Sequence, residues 1–182
     1  MGTAIGSLEL NSIATGVIAG DAMLKAADVS LIMAQPTCPG KFIILVAGDT
    51  ASVESSVKAG AAEGGEPVVD YTIIPSIDPE VIPAITRSTA PEQKEAVAVA
   101  ETFSLTAAIL AADYAVKSSL IDLIEVRLGR GLGGKSFVIM TGAVADVRSA
   151  ADSIRSELKK SGMVLNIVIV PHLHEDMYQA IL

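Results

Sequence analysis

The sequence predicts a mixed α/β protein of the α+β kind, built from two related domains in tandem. Three observations predict it. Glu9, Ser12, Asp21, Lys25 and Leu31 recur as Glu101, Ser104, Asp113, Lys117 and Leu123 at one constant spacing, so the segment from Ala4 to Leu31 returns from Ala96 to Leu123. Gly40-Lys41, Gly48 and Val53 recur as Gly134-Lys135, Gly142 and Val147 at a spacing two residues longer, which places an insertion ahead of the second glycine turn. Each copy runs strand, helix, strand, strand, helix, strand, short helix. That order makes a small antiparallel sheet flanked by helices, whereas a doubly wound nucleotide fold alternates strand and helix throughout.

In the first copy, Ala4–Leu10 alternates loosely as a strand. Ser12–Ala27 reads as a helix, with a serine at its N-cap and Ile13, Val17, Met23 and Leu24 at helical spacing. Val29–Ala34 and Phe42–Ala47 are β-branched apolar runs. A helix from Thr50 to Ala62, a Gly64-Gly65 turn, a strand over Val68–Ile74 and a short helix opening at Asp78-Pro79 complete the copy. The second copy repeats this with strands Val97–Thr102, Ile121–Arg127, Ser136–Thr141 and Met163–Val170. Its helices are expected over Leu105–Ser118 and Asp146–Lys160, with a short one after His174.

Thr86 to Glu95 is polar, contains Pro91 and lacks apolar periodicity, so it reads as a linker. The expected domains are therefore 1–85 and 96–182, joined by 86–95. Domains this small gain from packing against a twin or a neighbour. Apolar residues make up 51% of the chain with almost no aromatics, which points to burial continuing across subunit contacts.

A net charge of −8 excludes a general nucleic-acid binder, which needs clustered Lys and Arg. No apolar run reaches the ~18–20 residues that span a bilayer. The first ten residues lack the basic and apolar regions of a secretory signal, so a place inside the cell is expected. One cysteine excludes a disulfide framework and leaves a thiol for chemistry or burial.

That cysteine is Cys38, in the segment Gln35 to Lys41, a loop between two apolar runs. Set between Thr37 and Pro39 and away from any helical face, it is expected to be exposed rather than packed.

The paired segments DAMLKAA and DYAVKSS, the strand, turn, Gly-Lys, strand unit in each half, and the closing IVPHLH resemble the tandem-domain shell proteins of bacterial microcompartments, in the unpermuted order. The resemblance covers essentially the whole chain and extends to the propanediol-utilisation type, through Thr37-Cys38-Pro39-Gly40-Lys41. It implies a homotrimer forming a pseudo-hexagonal tile, other shell proteins as partners, and redox enzymes in the lumen or cytosol as further ones. It also implies a structural role, without catalysis.

For Cys38 the resemblance implies ligation of an iron–sulfur cluster, of the 4Fe–4S kind, one per trimer and placed for electron transfer across the shell. One cysteine cannot hold a cluster alone, and a three-fold axis multiplies it into three ligands. The second copy has Leu132 in its place, so six turns would ring the axis and three would carry sulfur. Thr37, Pro39, Gly40, Lys41, Gly131, Leu132, Gly133 and Gly134 would line the pore. Lys25 and Lys117 would lie at the tile edge, although a cation at a helix C-terminus is also favoured for its own sake. The alternative is a passive tile with a small-molecule pore and no cluster.

Three other patterns point elsewhere. Gly129 to Ser136 matches the P-loop pattern G-x-x-x-x-G-K-S/T, which would make the chain a nucleotide hydrolase. A P-loop opens a helix, whereas Ser136 to Met140 reads as a strand; Lys41 and Lys135 are expected to brace their turns. His172, His174, Glu175 and Asp176 suggest a metal site without a third ligand cluster, and His174 near a helix cap is the simpler reading. Glu9 and Glu101 sit at matched strand positions, where pairing with the backbone or with a basic partner at an interface is expected for them in place of catalysis.

Overall fold

A computed structural model describes residues 3–92, 95–129 and 131–181. The chain divides into two compact units, Met1–Ile77 and Asp78–Leu182.

In the first unit β1 (Thr3–Leu10), β2 (Ser30–Thr37), β3 (Lys41–Gly48) and β4 (Val68–Ile77) form an antiparallel sheet of order β2-β3-β1-β4. Helices α1 (Ile13–Ala26) and α2 (Thr50–Gly64) cover one face. Strand alternation decides which side chains they meet. Ala4, Leu8, Leu10, Phe42, Ile44 and Val46 point to the helices and pack with Ala19 and Met23 of α1 and Val53 and Val57 of α2. Ser12 caps α1 by accepting from the Thr15 amide at 3.3 Å, and Asp49 caps α2 by accepting from the Ala51 and Ser52 amides. Gly16 and Gly60 let the helices approach closely, because a Cβ at either would collide with Phe42 or Met23.

The second unit opens with α3 (Val81–Thr86) and then repeats the plan. It contains β5 (Ala96–Thr102), α4 (Leu105–Ser118), β6 (Ile121–Leu128), β7 (Ser136–Gly142), α5 (Val144–Glu157), β8 (Val164–Val170) and α6 (Glu175–Ile181), with sheet order β6-β7-β5-β8. Ser104 caps α4 through the Ala107 amide, as its counterpart Ser12 caps α1. On the sheet face opposite α4 and α5, Val97, Ile124 and Ile139 pack with the buried Tyr178 of α6.

Two expectations need correction. Gln35, Pro36 and Thr37 belong to β2, paired with Ile43, Phe42 and Lys41, so the loop shrinks to a turn of residues 38–40. The units part between Ile77 and Asp78 and not at Ile85, because α3 packs on β6 and places Val81, Ala84 and Ile85 in buried positions there. Within the expected linker, residues 93 and 94 lie outside the described residues.

Candidate functional site

Hairpin geometry positions Cys38. The last pair of β2 and β3 is Thr37 with Lys41, leaving Cys38, Pro39 and Gly40 as a three-residue connection closed by the Gly40 amide donating to Thr37 O at 3.0 Å. The Cys38-Pro39 peptide is cis. Gly40 has φ +84°, the left-handed conformation that a three-residue hairpin loop requires at its end and that glycine adopts without a Cβ penalty. Its counterpart Gly134 has φ +89°. The turn chemistry was therefore duplicated along with the sequence.

Cys38 is half-buried, on the turn rather than in the packed core, while Thr37 beside it is buried. Lys41 follows the turn and its Nζ lies 2.6 Å from Glu9 Oε1, so the lysine braces the turn, and of the two kinds of partner expected for Glu9 the structure gives the basic one, from the neighbouring strand of its own sheet. In the second unit Gly131, Leu132, Gly133 and Gly134 form the corresponding turn, with the Lys135 amide donating to Leu132 O at 3.2 Å; Arg130 lies outside the described residues. Open space surrounds Gly131, Gly133 and Gly134. Ser136 begins strand β7, so the P-loop pattern lacks the helix N-terminus it needs.

Lys25 and Lys117 occupy the last turns of α1 and α4 and pair with Asp21 (2.6 Å) and Asp113 (2.7 Å) one turn earlier. The two pairs differ in setting. Asp21 is exposed, whereas Asp113 is buried and also accepts from the Asp78 amide at 2.8 Å. His174 Nδ1 accepts from the Asp176 amide at 3.2 Å, the cap role expected of it. Among the described residues no group of three or more His, Cys, Asp or Glu side chains could hold a metal ion within one chain. A cluster on Cys38 therefore needs thiolates from several chains.

Two features escaped the sequence reading. Glu125 on β6 is buried and accepts twice from Arg127, at 2.7 and 3.0 Å, with Arg87 Nε 3.2 Å away. Arg127 also lies over the Phe137 ring, 5.2 Å from its centre. The alternation of Glu125 and Arg127 was the available signal; Met33 and Gln35 stand at the matched positions of β2. The second feature is a cavity of about 290 Å³ beside the linker, lined by Glu80, Ser88, Thr89, Glu92 and Asp122 among others. Burial, then the charges of Asp78 and Asp122, raise the Glu80 carboxyl above its ordinary value.

The BMC domain family matches twice, at residues 4–77 and 96–173. The chain is a tandem member of the BMC-domain family. The matched segments span the two sheets with α1 and α2 in the first and α4 and α5 in the second, while α3 and α6 lie outside them. The chain is 38% identical to the bacterial microcompartment shell protein PduT of Citrobacter freundii, over 98% of this chain and 97% of that protein. About half of the chain is also similar to a shorter relative: the carboxysome shell protein CsoS1 of Prochlorococcus marinus is 38% identical over 47% of this chain and 85% of its own length. A microcompartment protein of Desulfitobacterium hafniense DCB, solved by crystallography, superposes with a TM-score of 0.95 at 44% identity, covering 98% of this chain and 99% of that one. The expected membership and the paired α/β sheets are thus borne out. Among the described residues no helix is long and apolar enough to cross a membrane.

Proposed function

We propose that the BMC-domain chain is a structural tile of a bacterial microcompartment shell in which three copies close into a ring of six related domains. At the ring axis the three Cys38 thiolates hold one 4Fe–4S cluster, and Leu132 occupies the three alternating turns. When bound, the cluster supplies one-electron transfer across the shell to redox enzymes on either side.

One observation carries the ring. α1 and α4 are copies of one helix, yet Ile13 and Val17 of α1 are 45% and 59% exposed, while their counterparts Leu105 and Ile109 of α4 are 8% and 0% exposed. The matched residues are apolar in both copies and are covered within the chain in only one. A head-to-tail ring covers the other, since each chain then presents the same surfaces to the next and the rotation closes. The likeness to PduT over nearly the whole chain supports the shell assignment.

For Cys38 the supporting facts are its place on a turn, its partial exposure and, among the described residues, the lack of a group of co-ligands within one chain. A site completed by symmetry fits that donor set. Iron and sulfide are measured per chain, with visible absorption and EPR, on protein purified without oxygen, beside Cys38→Ser. About one cluster per three chains, absent in the variant at unchanged native mass, is expected. An iron-free ring after anaerobic reconstitution overturns the cluster and leaves a passive tile with a thiol at its pore.

A further inference from the structure

Two guanidiniums share one carboxylate on β6, the edge strand of the second sheet. The pairs Lys25–Asp21, Lys41–Glu9, Lys58–Glu54 and Arg155–Asp152 each match one cation with one anion. Around the buried Glu125, Arg127 Nε and Arg87 Nε approach the same oxygen, Oε1, at 2.7 and 3.2 Å. The cluster therefore keeps one positive charge in excess, in a chain whose net charge is −8. Asp122, the other carboxylate of β6, accepts from the Glu92 amide at 2.8 Å. Met33 and Gln35 stand at the positions of β2 matched to Glu125 and Arg127, so these charges are particular to the second copy.

Packing fixes both guanidiniums in place. Arg127 donates from Nε and Nη2 to the two oxygens of Glu125, and the Phe137 ring beneath it, 5.2 Å from centroid to guanidinium carbon, holds the other side. Arg87 ends α3 in the left-handed conformation, φ +58° and ψ +42°, at a position that glycine or asparagine usually takes, and its amide donates to Pro83 O. Backbone strain of this kind persists where the surroundings hold it, and it clusters at ligand sites. The surroundings do hold it: the Ser88 amide donates to Pro83 O at 2.9 Å, and the Thr89 hydroxyl donates to Ile124 O of β6 at 2.7 Å.

A guanidinium carries five N–H donors in one plane. Arg127 gives two of them to Glu125; among the described residues its Nη1 and both Nη groups of Arg87 have no acceptor. Both side chains reach solvent, Arg127 at 36% and Arg87 at 60% exposure.

We propose that Arg87 and Arg127 form a binding site for a small oxyanion, the carboxylate or phosphate group of a solute, with Glu125 as the residue that orients them. The free Nη donors suit that chemistry, because a planar guanidinium meets two oxygens of a carboxylate or phosphate at once. The single excess positive charge balances a singly charged group. The site is complete within the second unit, so it depends neither on the ring nor on a cluster at Cys38.

The test uses the full chain carrying Cys38→Ser, titrated at constant ionic strength with inorganic phosphate and, separately, with labelled acetate, and read by the magnetic-resonance line width of each probe. Saturable binding at one site per chain is expected. Arg87→Gln and Arg127→Gln are each expected to weaken it by about tenfold or more, the loss of charge-assisted hydrogen bonds. Arg148→Gln, which removes an exposed charge on α5, is expected to leave it unchanged. Far-UV dichroism reports whether each variant is folded. Without any substitution, the tighter of the two probes is expected to protect Arg87 and Arg127 from phenylglyoxal, read by peptide mass, and to leave Arg148 unprotected. The tighter probe identifies the oxyanion. Failure of both probes to bind overturns the site, as does binding that both arginine substitutions leave unchanged. An equal loss in Arg148→Gln, or equal phenylglyoxal labelling with and without the probe, shows general charge attraction and overturns it as well.

Discussion

Lys41 Nζ lies 2.6 Å from Glu9 Oε1, and this pair ties the residue that follows the cysteine turn to the neighbouring strand β1. Both side chains are partly shielded, so the pair is worth more than an exposed one yet far less than a buried one. Glu9→Gln is expected to lower stability by roughly 1 kcal/mol. Adding Lys41→Met should then cost little more, because the partner is already lost. Urea midpoints of the two single variants and the double variant check this; additive losses would show that the residues act separately.

Glu125 gathers Arg127 and Arg87 on a buried carboxylate. Glu125→Gln keeps the shape and removes the charge that both guanidiniums face. The two arginines remain partly exposed and can rehydrate, so the expected loss is about 1–3 kcal/mol, below that of a fully buried pair. A melting temperature unchanged in Glu125→Gln would contradict it.

Gly6 on β1 lies beneath α2. A Cβ built there meets Val57 Cγ2 at 2.5 Å and Val53 Cγ1 at 2.7 Å, both on stiff β-branched side chains. Gly6→Ala is expected to destabilise the first unit by about 1–3 kcal/mol through overpacking. Hydrogen exchange localises the effect, with faster exchange in β1 and α2 than in the second unit.

Glu80 supplies a dependence on pH. Its carboxyl is raised above the ordinary 4.5, first by burial and then by Asp78 and Asp122, so the folded chain holds that proton more tightly than the unfolded chain does. The stabilisation is complete below pH 4.5 and is lost as pH rises through the folded value. Glu80→Gln is expected to raise the melting temperature relative to wild type at pH 7, and the gain should vanish near pH 4. A variant less stable than wild type at pH 7 would refute the assignment.

Much of this was legible in the residues. The duplication, the antiparallel order, the serine caps of α1 and α4, and the start of β7 at Ser136 follow from local patterns, because strand alternation and capping depend on near neighbours. The boundary at Ile77 was not legible. Residues 78–85 look like the end of the first copy, and only packing on β6 assigns them to the second unit. The cysteine loop read too long because Pro36 suggests a turn, whereas edge strand β2 tolerates it without a ladder donor.

Glu9 with Glu101, and Lys41 with Lys135, were visible as repeats, since identity at a fixed spacing is a property of the chain alone. Which apolar residues are covered was not. Ile13 and Leu105, and Leu31 and Leu123, are near-equivalent in chemistry and local setting, and sequence treats each pair alike. Burial separates them because it depends on distant segments that approach in three dimensions. The chain's own residues thus prescribe two similar domains with one thiol, and tertiary packing makes the domains unequal by burying Leu105, Ile109 and Leu123 while leaving their counterparts Ile13, Val17 and Leu31 exposed.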